Sequence, residues 1–120
     1  MEEIQVGEYI RTKDGYIGKV TRFTTSDICY VKFYDNEEWK TDIEEAGIVK
    51  HSFNIAEILE EDDYVNGMRV SYVRFPNDPY EPTEIYVLDK HINFIFASDI
   101  KSVVTHEQMK AMEYVIEESD

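Results

Sequence analysis

Residues 9–23 read YIRTKDGYIGKVTRF, and residues 64–75 read YVNGMRVSYVRF. Each stretch consists of a short run with aromatic or β-branched residues, an Asp-Gly or Asn-Gly dipeptide, and a second such run that ends in Arg-Phe. These dipeptides readily adopt the positive φ angles that a tight hairpin turn needs. Both stretches therefore predict a β-hairpin, so the chain contains the same local design twice.

The similarity between the two halves continues beyond the hairpins. Matching segments, in the same order, are Arg22-Phe23 with Arg74-Phe75, Ile28–Val31 with Ile85–Leu88, Asp42-Ile43 with Asp99-Ile100, and Ile48–His51 with Val103–His106. The spacing between partners changes only in predicted loops, where insertions are tolerated. We interpret the pattern as an internal duplication; the alternative is chance similarity between two strand-rich halves.

Each repeat contains patterns for five short strands. In DICYVKFYD, residues 27–35, alternate side chains point to opposite faces, and both faces carry apolar residues, which predicts a strand covered on two sides. Five strands in about 50 residues are typical of a small SH3-like barrel, which leaves little free sheet edge.

The chain ends in a helical pattern. Thr105 and Gln108 fit a capping box, and Met109, Met112 and Ile116 fall on one helical face. The segment SFNIAEIL, residues 52–59, predicts one helical turn capped by Ser52 rather than a flexible linker.

The predicted fold is mainly β. It comprises two tandem SH3-like small barrels from an internal duplication, residues 1–52 and 57–106, with a short C-terminal α-helix over 106–118. Because a domain this small buries only about 60% of the surface that its unfolded chain exposes, we expect the two barrels to pack together.

The chain is strongly acidic. Its 120 residues include 26 acidic and 12 basic ones, a net charge of −14. Divided after residue 56, the first part carries −4 and the second −10. Nucleic acid needs Lys and Arg to displace its counterions, so we predict no direct nucleic-acid binding and a partner with a basic surface.

Several classes of protein are disfavoured. The single Cys29 cannot form an intrachain disulfide, the N-terminus has no signal-peptide pattern, and no apolar run is long enough for a membrane span, which predicts a cytoplasmic protein without membrane contact. No nucleotide-binding, zinc or calcium motif is present, and Cys29 lies in a strand where burial raises a thiol pKa. We therefore predict no enzyme and no catalytic, metal or cofactor site.

The first repeat is rich in aromatic residues. Tyr9, Tyr16, Phe33, Tyr34 and Trp39 could line a cage for a methylated lysine or fill a small core. The sequence favours the core, because aromatic residues supply the apolar area that a small barrel most lacks.

Two resemblances follow from these segments. VGEYIRTKDGYIGKV with YVKFYDNEEWKTDI, residues 6–20 and 30–43, resembles KOW- and Tudor-type SH3-like barrels. The segments IVKHS, DYVNG and IKSVVTHEQ, residues 48–52, 63–67 and 100–108, resemble small phage and mobile-element proteins of Firmicutes. The second resemblance implies no catalytic activity. It favours a protein that acts in the host bacterial cell.

Charge and resemblance together suggest a phage-type inhibitor of a host nucleic-acid-targeting defence system, an anti-CRISPR or anti-restriction protein. Its carboxylates would occupy the basic groove of a CRISPR effector or other nuclease. The predicted partner-binding residues are Glu60, Glu61, Asp62, Asp63, Asp78, Tyr80, Glu81 and Glu84. The alternatives are an intracellular SH3-like adaptor and a KOW-like RNA or ribosome binder that uses Arg11, Lys13, Lys19 and Arg22.

Overall fold

The computed structural model describes residues 3–33 and 36–112. It is mainly β, with two five-stranded antiparallel sheets and a short C-terminal helix. The first sheet contains β1 (Tyr9–Thr12), β2 (Ile17–Phe23), β3 (Ile28–Lys32), β4 (Glu38–Asp42) and β5 (Ile48–Ser52), with the short helix α1 (Ile43–Ala46) before β5. The second contains β6 (Tyr64–Val65), β7 (Met68–Arg74), β8 (Glu84–Leu88), β9 (Phe94–Phe96) and β10 (Val103–Val104); 3₁₀ helices span Ile55–Ile58 and Ala97–Asp99, and α2 spans His106–Ala111.

Both predicted hairpins are present. β1 pairs with β2 and β6 pairs with β7, each across its glycine-containing turn. Gly15 has φ +86, and Asn66 and Gly67 have φ +51 and +80. Two successive positive φ angles are the geometry for which Asn-Gly is favoured.

The two sheets have the same strand order. The first runs β4-β3-β2-β1-β5, and the second, read from its other edge, runs β9-β8-β7-β6-β10. A register shift follows Val20 in β2 and Val70 in β7. Among the described residues no backbone pairing joins the two ends of either sheet, so both sheets are open rather than closed barrels.

Strand register corrects the sequence alignment of the halves. Arg22 lies opposite Tyr30, and Tyr72, not Arg74, lies opposite Tyr86. Ile10 in β1 and Val65 in β6 occupy equivalent positions. Ile10 pairs with His51, whereas Val65 pairs with Val103 and not with His106. The alignment was wrong at these positions because the loops of the two halves differ in length, which shifts the equivalent positions by residues that identity alone does not reveal.

Each sheet covers its own small core. Ile10, Val20 and Val31 are central to the first, and Val65, Val70 and Ile85 to the second. The predicted alternation is confirmed, since Cys29 and Val31 are buried while Tyr30 is half-buried and Lys32 exposed. Coverage on two sides was wrong, because the outer residues of β3 and β8 are half-buried or exposed while only their inner residues are buried. Burial raises the pKa of the Cys29 thiol, as expected.

The helical signals are confirmed in part. Thr105 and Gln108 form the predicted capping box at the start of α2, and residues 113–118 of the predicted helix lie outside the described residues. The turn at Ile55–Ile58 is capped by Asn54 rather than Ser52, whose hydroxyl instead accepts from the Asn54 N–H. Within the described residues, no helix has the length and apolar character needed to cross a bilayer.

Candidate protein-binding surfaces

The acidic run at residues 60–63 is partly built into the contact between the two halves. Arg11 of β1 is fully buried and donates from Nη1 to Asp63 Oδ2 (2.5 Å) and from Nη2 to Asp63 Oδ1 (2.9 Å). Nη2 also donates to Glu107 Oε2 at 2.6 Å, and Nη1 to the Ile58 carbonyl at 3.0 Å. The guanidinium thus links β1 to three segments of the second half.

Asp63 is fully buried and has no remaining acceptor capacity toward solvent. Besides Arg11, its carboxylate accepts from the backbone N–H groups of Glu60 (2.7 Å) and His106 (2.9 Å). Burial alone would lower the pKa of Arg11, but its hydrogen bonds to Asp63 and Glu107 and the charges of Asp63 and Glu60 outweigh it and raise that pKa. Asp63 is therefore a structural group that offers no surface to a partner.

Glu60 forms the outer part of this ion network. Its carboxylate lies 3.2 Å from Lys50 Nζ and 2.9 Å from His106 Nε2. Burial alone would raise the pKa of Glu60, but the hydrogen bond to His106 and the charges of Arg11 and Lys50 outweigh it and lower that pKa. Glu60, His106 and Glu107 also lie close enough together to form a metal-binding group, and their two carboxylates already pair with Arg11 and Lys50.

This network predicts a specific acid sensitivity. A carboxylate whose folded pKa is lowered contributes stability that is complete above its unfolded pKa, about 4.3, and is lost as the pH falls through the folded value. In urea unfolding, Glu60→Gln should therefore be destabilising at pH 7, and its difference from wild type should shrink below about pH 4.5. The exposed neighbour variant Glu61→Gln is the control; an equal pH trend there would contradict the assignment.

A second contact fixes α2 to the first hairpin. The buried Thr105 hydroxyl donates to the Gly15 carbonyl at 2.7 Å. The first turn of α2 thus lies directly on the β1–β2 turn. Contacts from both Arg11 and Gly15 make the two halves one packed unit, consistent with the expectation that they would not be independent.

The remaining predicted site residues fall into two groups. Asp62 pairs with Arg69 at 2.7 Å and Glu84 pairs with Arg74 at 2.6 Å, so their charges are compensated within the chain. Asp78, Glu81 and Glu61 are exposed and form no ion pair with any described residue. Of these three uncompensated acids, Asp78 and Glu81 lie in the loop between β7 and β8, and Glu61 lies in the run at 60–63.

That loop, residues 75–83, is called the contact loop below. Its centre is Tyr80, whose side chain is 95% exposed. The Asp78 carboxylate accepts from the Tyr80 N–H at 2.9 Å, and the Glu81 N–H donates to the Asp78 carbonyl. These turn bonds and Pro79 hold the tyrosine between two acids.

Sequence reasoning missed a row of aromatic side chains on the outer face of the second sheet. We call Tyr72, Tyr86, Phe94 and Phe96 the aromatic ridge. The Tyr72 and Tyr86 rings stack at 4.5 Å, Tyr86 and Phe94 lie 5.3 Å apart, and Phe94 and Phe96 5.5 Å. Alternation in EIYVL indicated that Glu84 and Tyr86 share a face, but only the register shows that Tyr72 and Phe94 join them.

A pocket of about 550 Å³ lies on the first half. Its lining includes Tyr16, Phe33 and Trp39 together with Asp14, Asp42 and Glu45. Tyr16 and Trp39 are exposed rather than core residues, so the core interpretation of these two was wrong. Tyr34 lies outside the described residues.

The basic residues named for RNA binding do not form one surface. Arg11 is buried in the ion network, and Arg22 stacks on Tyr30 and pairs with Glu38. Lys13 and Lys19 are exposed, and Lys19 lies over the Tyr9 ring. Two lysines offer little attraction for a phosphate backbone against a net charge of −14.

Comparison with known proteins adds no relative. No family model matches the chain, and neither a curated protein nor a solved structure is significantly similar to it.

Proposed function

We propose that this chain is a non-enzymatic, acidic protein-binding module whose contact loop binds a partner with a basic surface. The observation that carries the proposal is Tyr80, almost wholly exposed between Asp78 and Glu81, which have no ion-pair partner among the described residues. An exposed tyrosine on a proline-restricted loop loses little conformational freedom on binding. It is a suitable anchor for an interface.

The charge distribution supports a basic partner. The second half carries −10 of the net −14, and Asp78 and Glu81 lie in its contact loop. Such a field accelerates encounter with a positive surface and repels nucleic acid. Cofactors play no part in this mode of action.

The more specific proposal is a phage-type inhibitor, anti-CRISPR or anti-restriction, that acts in the cytoplasm of a host bacterium. Its carboxylates would take the place of phosphates in the nucleic-acid groove of a CRISPR effector or other nuclease. Acidity and the resemblance to phage proteins support it. The alternative is an intracellular adaptor whose partner binds no nucleic acid.

The architectural part of the proposal is a pair of tandem SH3-like units, residues 1–52 and 57–106, that arose by duplication. The identical strand order of the two sheets and the shared register shift after Val20 and Val70 support it. In SH3-like folds the loops between strands carry binding residues while the sheets hold them in place.

The test is competition with DNA. A purified guide-loaded CRISPR effector, and separately a restriction nuclease, are titrated with labelled DNA in the presence of the protein. We expect displacement that weakens from about 50 mM to about 500 mM salt as the charges are screened. The variant Asp78→Asn/Tyr80→Ser/Glu81→Gln should lose at least about tenfold in apparent affinity.

A matched control removes charge elsewhere. Asp27→Asn/Glu44→Gln deletes two exposed acids of the first half and should change affinity little. Equal losses in both variants would show that only net charge matters and would contradict a contact-loop site. Failure to displace DNA from either nuclease would exclude these targets and favour the adaptor.

A further inference from the structure

The first sheet shows how this protein covers a tyrosine on the outer face of a sheet. The Arg22 guanidinium carbon lies 3.9 Å from the centroid of the Tyr30 ring, and Arg22 Nε lies 3.4 Å from Glu38 Oε2. The cation therefore stacks on an aromatic face while a carboxylate holds it from the side. Stacking of this kind suits the planar guanidinium better than the ammonium of lysine.

The second sheet has aromatic rings where the first has cations. By register, Tyr86 takes the position of Tyr30, Tyr72 that of Arg22, and Phe94 that of Lys40. Tyr72 is 54% exposed, and Phe94 and Phe96 are 36% and 38% exposed. The aromatic ridge thus leaves aromatic surface open, and no described cation lies over it.

Nearby charge favours a positive occupant. Arg74 lies at the contact-loop end of the ridge, where Glu84 binds it at 2.6 Å; this hydrogen bond and charge raise the pKa of Arg74. Glu81 of the contact loop adds to that effect, so the acids at this end of the sheet outnumber the arginine. The contact loop joins β7 to β8, which brings its acids to the same end of the ridge.

We infer that the aromatic ridge binds an arginine-bearing segment of a basic partner protein, with guanidinium groups stacked on its exposed rings and the acids of the contact loop beside them. The inference rests on the proposed function and names the chemistry of the partner. An extended segment with arginines at alternate positions presents them on one face, about 7 Å apart, comparable with the 5.5 Å between the Phe94 and Phe96 rings.

The probe is a peptide with three arginines separated by single serines, compared with the same peptide carrying lysines. Titration by calorimetry and by NMR of the ring resonances should give about fivefold tighter binding for the arginine peptide, with shifts at Tyr72 and Tyr86. The variant Tyr72→Thr/Tyr86→Thr keeps β-propensity at both positions and should bind the arginine and lysine peptides with about equal affinity. Tyr30→Thr in the first sheet, the matched control, should keep the preference for arginine.

The outcomes separate this inference from the proposed function. An arginine preference that survives in Tyr72→Thr/Tyr86→Thr overturns the ridge as the site, while loss of binding in Asp78→Asn/Glu81→Gln would still support the contact loop. Arginine peptide binding that neither variant weakens overturns both. Sedimentation that shows a dimer, converted to monomer by Tyr72→Thr/Tyr86→Thr, means that a second copy covers the ridge and overturns the inference.

Discussion

Arg11→Met should destabilise the fold by about 3–5 kcal/mol, because removing one partner leaves an uncompensated charge inside the protein. Asp63 is fully buried, and two of the four hydrogen bonds to its carboxylate come from Arg11. Methionine fills a similar volume but cannot neutralise the carboxylate. Urea unfolding at pH 7, followed by circular dichroism, measures the loss.

Two further variants make the result specific. Arg69→Met breaks the exposed pair with Asp62 and should change stability little, since solvent screens such pairs. Arg11→Met/Asp63→Leu removes both charges and should recover part of the loss of stability, because burying an apolar pair does not require two charges to be desolvated. Similar losses for Arg11→Met and Arg69→Met would show that the buried network is not a major source of stability.

Local patterns were sufficient to predict the strands. Glycine dipeptides fix the hairpin turns, alternation separates buried Cys29 and Val31 from Lys32, and the Thr105–Gln108 spacing gives the helix start. Each of these signals depends on residues within a few positions of one another. The structure contains the predicted turns and helix start because backbone sterics and capping act locally.

Asp63 shows where such reasoning fails. A run of four acids normally indicates a solvated surface, yet its last member is bound by Arg11 from 52 residues earlier in the chain. No residue near Arg11 in YIRT indicates that this cation is buried. The contact depends on how the two sheets pack, which composition and periodicity do not encode.

The aromatic ridge was missed for a related reason. Alternation assigns Tyr86 and Glu84 to one face of β8 but does not say whether that face is covered. The bulge after Val70 then places Tyr72, rather than Ser71, opposite Tyr86. A single register shift thus brings two rings together where an unshifted register would place a serine beside Tyr86.

Gly15→Ala should destabilise the fold by about 3 kcal/mol, well above the loss of stability in the chemically identical change Gly67→Ala. Both glycines have positive φ, +86 and +80, so alanine is strained at each by about 1 kcal/mol. A Cβ at Gly67 would meet nothing within 4 Å, whereas one at Gly15 would collide with the Thr105 hydroxyl and approach Glu107 Cβ to 2.7 Å. The difference between the two losses of stability therefore measures the contribution of α2 packing on the β1–β2 turn.

The position of α2 on the β1–β2 turn can also be measured separately from stability. The added methyl group must push α2 away from the β1–β2 turn, which breaks the Thr105 hydrogen bond to Gly15 and draws Glu107 from Arg11. Hydrogen exchange of the α2 amides should therefore accelerate in Gly15→Ala and stay near wild type in Gly67→Ala. Equal stability losses with unchanged exchange would mean that α2 is held by other contacts, and that the ion network does not depend on its position.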